Sequence, residues 1–202
     1  MKRSMLYRLF RECLGRNYKH TEEDAGWDFA RRGSTLILYF EKSNGQRDWL
    51  SNLNFHAVAY RDMEPPWQCH AGFLKVWKSV RPHVAALLAD PTLRRVVVVG
   101  YSHGAALAVL CHEFIDWSRP DLRETLVGIG FGCPRVLYGD LPPEVAARWE
   151  HFYVIRNSGD LVTHLPPRVL GYTHVGNLIE VGSEARYNAI DAHRPESYLK
   201  EL

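Results

Sequence analysis

The sequence is short of several features that would narrow its function at once. No apolar run approaches the ~18 residues that a membrane-spanning helix needs, so no stable membrane span is expected. Cysteine is sparse, and Cys13, Cys69, Cys111 and Cys133 show no paired spacing. That argues against a disulfide framework or a metal-ligand set, and for free, buried thiols in a reducing compartment. Charge of one sign is not in excess: the net charge is +2 and no basic block stands out, so the sequence offers nucleic acid no electrostatic footprint. The N-terminal run Met1–Arg11 begins with positive charge as a leader peptide does, but Arg8 and Arg11 interrupt its apolar part and no leader core forms. The expected compartment is the cytoplasm, with unconventional export left open. Internal repeats, low-complexity tracts and linkers are absent, so residues 1–202 are read as a single domain with one full core.

What is present centres on residues 96–110. Val96-Val97-Val98-Val99 is a continuous β-branched run, the pattern of a strand buried on both faces of a parallel sheet. The Ala- and Leu-rich run from Ala105 to Leu110 favours helix. Between them stands Gly100-Tyr101-Ser102-His103-Gly104. A strand turning sharply into a helix leaves no room for a Cβ on either side, which accounts for both glycines. The apex residue, Ser102, is expected to be strained, with its hydroxyl above the sheet edge and a helix N-terminus aimed at it. A serine that merely caps a helix would explain neither both glycines nor the valines.

The rest of the chain supplies a sheet for this turn. Ser4–Leu14 reads as an amphipathic helix with Met5, Leu6, Leu9, Phe10 and Cys13 on one side and Gly15 as its stop. Strands are expected at 26–30 and 34–40, joined by Arg31-Arg32-Gly33. Trp49, Leu50 and Leu53 fall at helical spacing, which predicts a short helix over 47–53. An edge strand at 56–60 and a loop over 61–68 follow. The next helix, 72–89, should be kinked or divided by Pro82. After the Ser102 helix, strands are expected at 126–132, 151–156 and 175–181, with a short helix over 143–149. This alternation predicts an α/β fold with a mostly parallel central sheet and helices on both faces.

A serine at such a turn needs a general base, and the base needs an orienting carboxylate. In the chain order Ser, Asp or Glu, His, Asp160 lies just past the 151–156 strand in a Gly-containing turn, and His193 follows the last strand. Ten histidines compete. Most precede Asp160, and His164 is too close to it. His174 is the rival base, though it opens a strand at the wrong end. Asp116, Asp121 and Asp140 are expected as solvated loop or cap residues, and Asp191 is too near His193 to support its ring. The oxyanion hole is expected to use the backbone N–H of His103 and a donor from the loop after Phe40, where Ser43 offers a hydroxyl and an N–H. Ser43 reads equally well as a turn residue.

Taken together, Phe40-x-x-Ser43, Asp48-Trp49-Leu50, His70-x-Gly72-Phe73-Leu74, the Gly100–Ala108 segment, Phe131-Gly132-Cys133-Pro134-Arg135-Val136, Asn157-x-x-Asp160-x-Val162-x-x-Leu165-Pro166-Pro167, Gly171-Tyr172-x-His174-x-Gly176 and His193 with Tyr198-Leu199 resemble a class 3 lipase, of the α/β-hydrolase fold. The family includes filamentous-fungal triacylglycerol lipases and related feruloyl esterases and phospholipases. The resemblance implies Ser102, Asp160 and His193 as triad, Ser43 as oxyanion residue, a structural place for His174, and a lid at 44–55 with Trp49, Leu50 and Leu53 near the acyl group. Where the family usually has Arg-Gly before the oxyanion residue, this chain has Glu41-Lys42. The implied activity is a cofactor-free and metal-free serine ester hydrolase, with a lipid or small ester at an oil–water interface as substrate. Phospholipase A1, a feruloyl-type esterase and a non-catalytic lipase-like binding module are the alternatives.

Overall fold

In the computed structural model, which describes residues 2–42, 55–183 and 188–202, the valine run lies at the middle of a seven-stranded sheet. Strand β6 (Arg95–Tyr101) is paired in parallel with β3 (Thr35–Phe40) on one side and β7 (Leu126–Phe131) on the other. Beyond β7 the parallel order continues through β9 (Phe152–Asn157) to β11 (Asn177–Val181). Beyond β3 two antiparallel strands, β2 (Gly26–Arg32) and β1 (Lys19–His20), complete the order β1-β2-β3-β6-β7-β9-β11.

Period-two alternation divides this sheet's side chains between two cores. Leu36, Leu38, Phe40, Val96, Val98 and Val154 face helices α2 (Ala71–Leu88) and α3 (His103–Ser118). Ile37, Tyr39, Val97, Val99, Tyr101, Ile129 and Phe131 face the opposite way, toward helices α1 (Arg3–Leu14) and α5 (Pro195–Glu201). Helix α1 buries Leu6, Leu9, Phe10 and Cys13, as its spacing predicts, and Gly15 closes it by donating its N–H to Arg11 O and Glu12 O.

Three expectations need correction. Helix α2 runs undivided through Pro82. Pro82 and Lys78 are both exposed, so the carbonyl that the missing N–H leaves unbonded faces water, and burial of Trp77, Val80, Val84 and Leu88 carries the helix past it. Residues 61–68, read as loop, include the start of strand β5 (Trp67–His70). This strand belongs to a second, antiparallel sheet of order β10-β8-β5-β4, built from Tyr172–Thr173, Leu137–Tyr138, β5 and Ala57–Tyr60. Two of its strands are two residues long, too short for any alternation to register. The predicted 143–149 helix is one α-turn, α4 (Pro143–Ala146), continued as a 3₁₀ turn to Trp149.

Candidate active site

The site grows from the turn between β6 and α3. Ser102 adopts φ 57° and ψ −123°, a region an L-residue enters at a cost of order 1–3 kcal/mol. Its own backbone holds it there: the N–H donates to Phe131 O at 2.9 Å, and its carbonyl accepts from Ala105 N at 2.9 Å. The two glycines are needed for close approach. A Cβ on Gly100 would lie 2.1 Å from Gly104 O, and one on Gly104 would lie 2.3 Å from Phe40 O. Helix α3 is thus pressed against both the strand that feeds it and the end of β3.

The segments after β9 and β11 deliver the partners. Asp160 lies three residues past β9 and is fully buried, and His193 closes a 3₁₀ turn, Asp191–His193, after β11. His193 Nδ1 lies 2.9 Å from Asp160 Oδ1 and 2.8 Å from Oδ2. A carboxylate only accepts, so Nδ1 carries the proton and Nε2 is left as an acceptor. Ser102 Oγ, 2.8 Å from Nε2, therefore donates to it. The structure brings together the three residues that chain order singled out.

The surroundings fix each member. Asp160 Oδ1 accepts from Val162 N at 2.9 Å, and Oδ2 accepts from Tyr198 Oη at 2.6 Å. Tyr198 in turn accepts from Asn157 N at 3.0 Å. Asn157 Nδ2 donates to Ala192 O at 2.9 Å, tying the end of β9 to the turn that carries His193. Tyr101 stacks on the His193 ring and donates its hydroxyl to the His193 carbonyl. Sequence reasoning gave Tyr101, Asn157 and Tyr198 no role of their own. Their signal lies in alternation and in three dimensions, since Tyr101 is only the variable position of a five-residue motif.

The other candidates fall elsewhere. His174 is not the first residue of a strand but lies between β10 and β11; its Nε2 donates to Thr163 O at 2.8 Å, and burial lowers its pKa to about 4. The His103 ring packs on Phe73 with centroids 5.6 Å apart, and burial, helped by His70, lowers its pKa to about 4. Asp191 is engaged by Asn188 and Arg194 rather than by the His193 ring. Asp116, expected at the surface, is buried and accepts from Arg123 Nε at 2.9 Å. All four cysteines are free and buried; burial pushes Cys13 and Cys69 up to about 12, leaving them as poor nucleophiles. Ser43, Trp49, Leu50 and Leu53 lie outside the described residues. Among the described residues, no helix is long and apolar enough to cross a membrane.

A mostly parallel sheet with helices on both faces, a strained serine between strand and helix, an acid just past β9 and a base in a turn after β11 define an α/β-hydrolase fold. Residues 37–170 match the family model of lipase (class 3), and the chain belongs to that family. The match contains Ser102 and Asp160; His193 lies beyond it and rests on its geometry. The chain is 29% identical to a lipase of Rhizomucor miehei over 147 residues, covering 70% of this chain and 40% of that one. It is 36% identical over 83 residues to a secreted mono- and diacylglycerol lipase of Malassezia restricta, covering 40% of this chain and 25% of the relative. The solved Rhizomucor miehei triacylglyceride lipase superposes with a TM-score of 0.70 at 26% identity, covering 81% of this chain and 64% of its own. A triacylglycerol lipase described as having a serine protease triad at its catalytic centre superposes with a TM-score of 0.69 at 28% identity, over 82% and 64% of the two chains. The chain spans about 40% of the length of the Rhizomucor miehei lipase sequence it matches.

Proposed function

We propose that this chain is a serine ester hydrolase acting on acylglycerols or related carboxylic esters through an acyl-enzyme. The observation that carries the reading is the continuous hydrogen-bond chain from Ser102 Oγ through His193 to Asp160, built on a strained strand-to-helix turn. Ser102 Oγ attacks the ester carbonyl while its proton passes to His193 Nε2, and Asp160 stabilises the resulting imidazolium. The tetrahedral oxyanion forms beside the start of α3, where the His103 amide and the helix dipole favour negative charge. His193 returns the proton to the departing alkoxide, which leaves as alcohol. Water then gives a proton to His193 and attacks the acyl-serine; as the carboxylic acid leaves, His193 returns that proton to Ser102 Oγ and both are restored.

Two features support an apolar acyl substrate. Leu161, next to Asp160, is 47% exposed, and Ile190, three residues before His193, is 73% exposed. The two segments are joined by Leu161 N–H donating to Ala189 O at 3.3 Å, which holds these exposed apolar residues on the two segments that carry the acid and the base. Ser102 itself is fully buried. A lipid or a small ester is the proposed partner, and the cytoplasm the proposed compartment.

The test is covalent labelling by a fluorophosphonate, together with turnover of p-nitrophenyl and glyceryl esters. The expected result is stoichiometric labelling and ester turnover in the wild type, and loss of both in a folded Ser102→Ala variant. Labelling that persists in Ser102→Ala would remove Ser102 as nucleophile. A wild type that neither labels nor turns over esters would make the chain a lipase-like binding module.

A further inference from the structure

We propose that Tyr101 is a positioning residue for His193, holding both the plane of its imidazole and the main chain that carries it; the inference rests on the hydrolase reading above. Tyr101 is the residue before Ser102. Because β6 alternates, its side chain points into the core on the α1 and α5 side, while Ser102 crowns the sheet. There its ring lies against the His193 imidazole with centroids 5.3 Å apart and planes inclined by 25°, and its hydroxyl donates to the His193 carbonyl oxygen. One side chain therefore contacts the base at two separate places.

Both contacts answer a need that the rest of the site leaves open. His193 sits in a three-residue 3₁₀ turn rather than in a strand or long helix; Asn157 Nδ2 and Ser197 Oγ tie that turn at Ala192 O and Asp191 O, and the Tyr101 hydroxyl holds it at the His193 carbonyl. Asp160 holds Nδ1 but does not fix the tilt of the ring about the axis through that hydrogen bond. Tilting moves Nε2 away from Ser102 Oγ, which it must meet at 2.8 Å. The stacked Tyr101 ring sets that tilt, and the hydroxyl-to-carbonyl bond sets the height of the turn.

Tyr101 is in turn immobilised. It is fully buried, with Phe10 packed against it edge-on at 5.2 Å and 81° and Tyr198 at 6.1 Å and 67°. Phe10 comes from α1, and Tyr198 is the donor to Asp160. Nucleophile, base and acid are thus referred to one aromatic cluster whose members come from α1, β6 and α5.

The experiment compares Tyr101→Phe and Tyr101→Leu in the full chain. Readouts are kcat and KM on p-nitrophenyl butyrate, the thermal midpoint, and the low-field proton resonance of His193 Nδ1–H by NMR. Tyr101→Phe keeps the stack and loses the donor; kcat should fall several-fold with KM within twofold and the midpoint nearly unchanged. Tyr101→Leu loses both, and kcat should fall by about 10², the scale of an ångström-sized misplacement of a catalytic group. The Nδ1–H line should broaden in the same order. A residue that only supports the fold would lower the midpoint while leaving kcat per folded molecule intact. Unchanged kcat and an unchanged low-field line in Tyr101→Phe would overturn the proposal, and this variant decides even if Tyr101→Leu does not fold. If the wild type shows no ester turnover, the hydrolase reading fails by itself, and the NMR comparison still decides whether Tyr101 sets the geometry of His193.

Discussion

Tyr198 and Asp160 are joined by a 2.6 Å hydrogen bond in which the phenol donates to Oδ2. Burial, and next the charge of Asp160, push the tyrosine pKa well above its ordinary value, so it stays a donor at any working pH. With Val162 N–H on Oδ1 and His193 Nδ1–H across both oxygens, the carboxylate is held from three directions. Tyr198→Phe keeps the ring in its cluster and removes one of the three. The expected outcome is a fall in kcat of roughly tenfold with KM unchanged, the scale of one hydrogen bond to a charged group. Asp160→Asn should cost far more, up to ~10⁴ in kcat by analogy with the handling of the same change in serine proteases. Steady-state kinetics on a soluble ester check both, and equal losses in the two variants would mean that Tyr198 acts on the fold rather than on the acid.

His193 and His174 provide a paired comparison. On the proposed mechanism His193 takes the Ser102 proton, so in His193→Ala kcat should fall by at least ~10²–10⁴. His174 is half-buried, and its ring serves the carbonyl of the buried Thr163 at 2.8 Å. His174→Ala leaves that carbonyl without its donor and should lower stability by roughly 1–3 kcal/mol while sparing kcat per folded molecule. Urea denaturation beside kinetics separates the two effects. A reversed pattern, with both proteins folded, would move the base to His174.

Legibility in the sequence followed physical periodicity. The parallel sheet was readable because β3, β6 and β7 are apolar on both faces, so the runs Leu36–Phe40, Val96–Val99 and Leu126–Phe131 stand out without any alignment. The Ser102 turn was readable because two glycines bracket one serine, and the structure shows the backbone atoms each glycine makes room for. The second sheet was not readable. Tyr172–Thr173 and Leu137–Tyr138 carry no period of their own and pair only because the chain brings them to β5. The burial of Asp116 was missed because its partner Arg123 follows a helix end. The roles of Tyr101 and Tyr198 were also hidden, since each depends on a contact more than 30 residues away in sequence.

Gly104 tests how tightly the serine turn is built. A Cβ there would meet Phe40 O at 2.3 Å and Glu41 O at 2.4 Å, both backbone atoms that cannot swing aside. Gly104→Ala must therefore push α3 away from the end of β3, which also moves Ser102 relative to His193. The expected result is a protein destabilised by several degrees in thermal midpoint, with fluorophosphonate labelling slowed well beyond the loss in folded fraction. Gly33 is the control. It has φ +58° but nothing within 4 Å of its added Cβ, so Gly33→Ala strains a turn without touching the site. Its labelling rate per folded molecule should match the wild type, and equal slowing in both variants would show that the close contact at Gly104 is not what sets the nucleophile.

Stability on the acid side should be governed by histidines that desolvation holds neutral. Burial lowers His103 and His174 to about 4 and His112 to about 3, from an ordinary value of 6.5. The groups around them add to the shift: His70 beside His103, His151 beside His112, and Arg135, Arg156 and His164 near His174. In the unfolded chain each histidine takes up a proton as the pH falls through 6.5, whereas the folded chain takes it up only near 3 to 4. Within that window the unfolded state binds more protons, so stability is complete above about 6.5 and declines as the pH falls, by up to roughly 1.4 kcal/mol per pH unit for each histidine. The Glu113 carboxyl, raised by burial despite its pairing with Arg148, contributes in the opposite sense. His112 isolates the effect, because it lies on α3 in the core, edge-on to Phe152 at 5.4 Å and 90°. In His112→Leu one titration is gone, and the variant's stability relative to wild type should improve steadily between pH 6.5 and pH 4. Urea unfolding across that range measures it. Parallel pH dependences in variant and wild type would mean that His112 is already protonated in the folded protein, and that the acid sensitivity belongs to the other histidines.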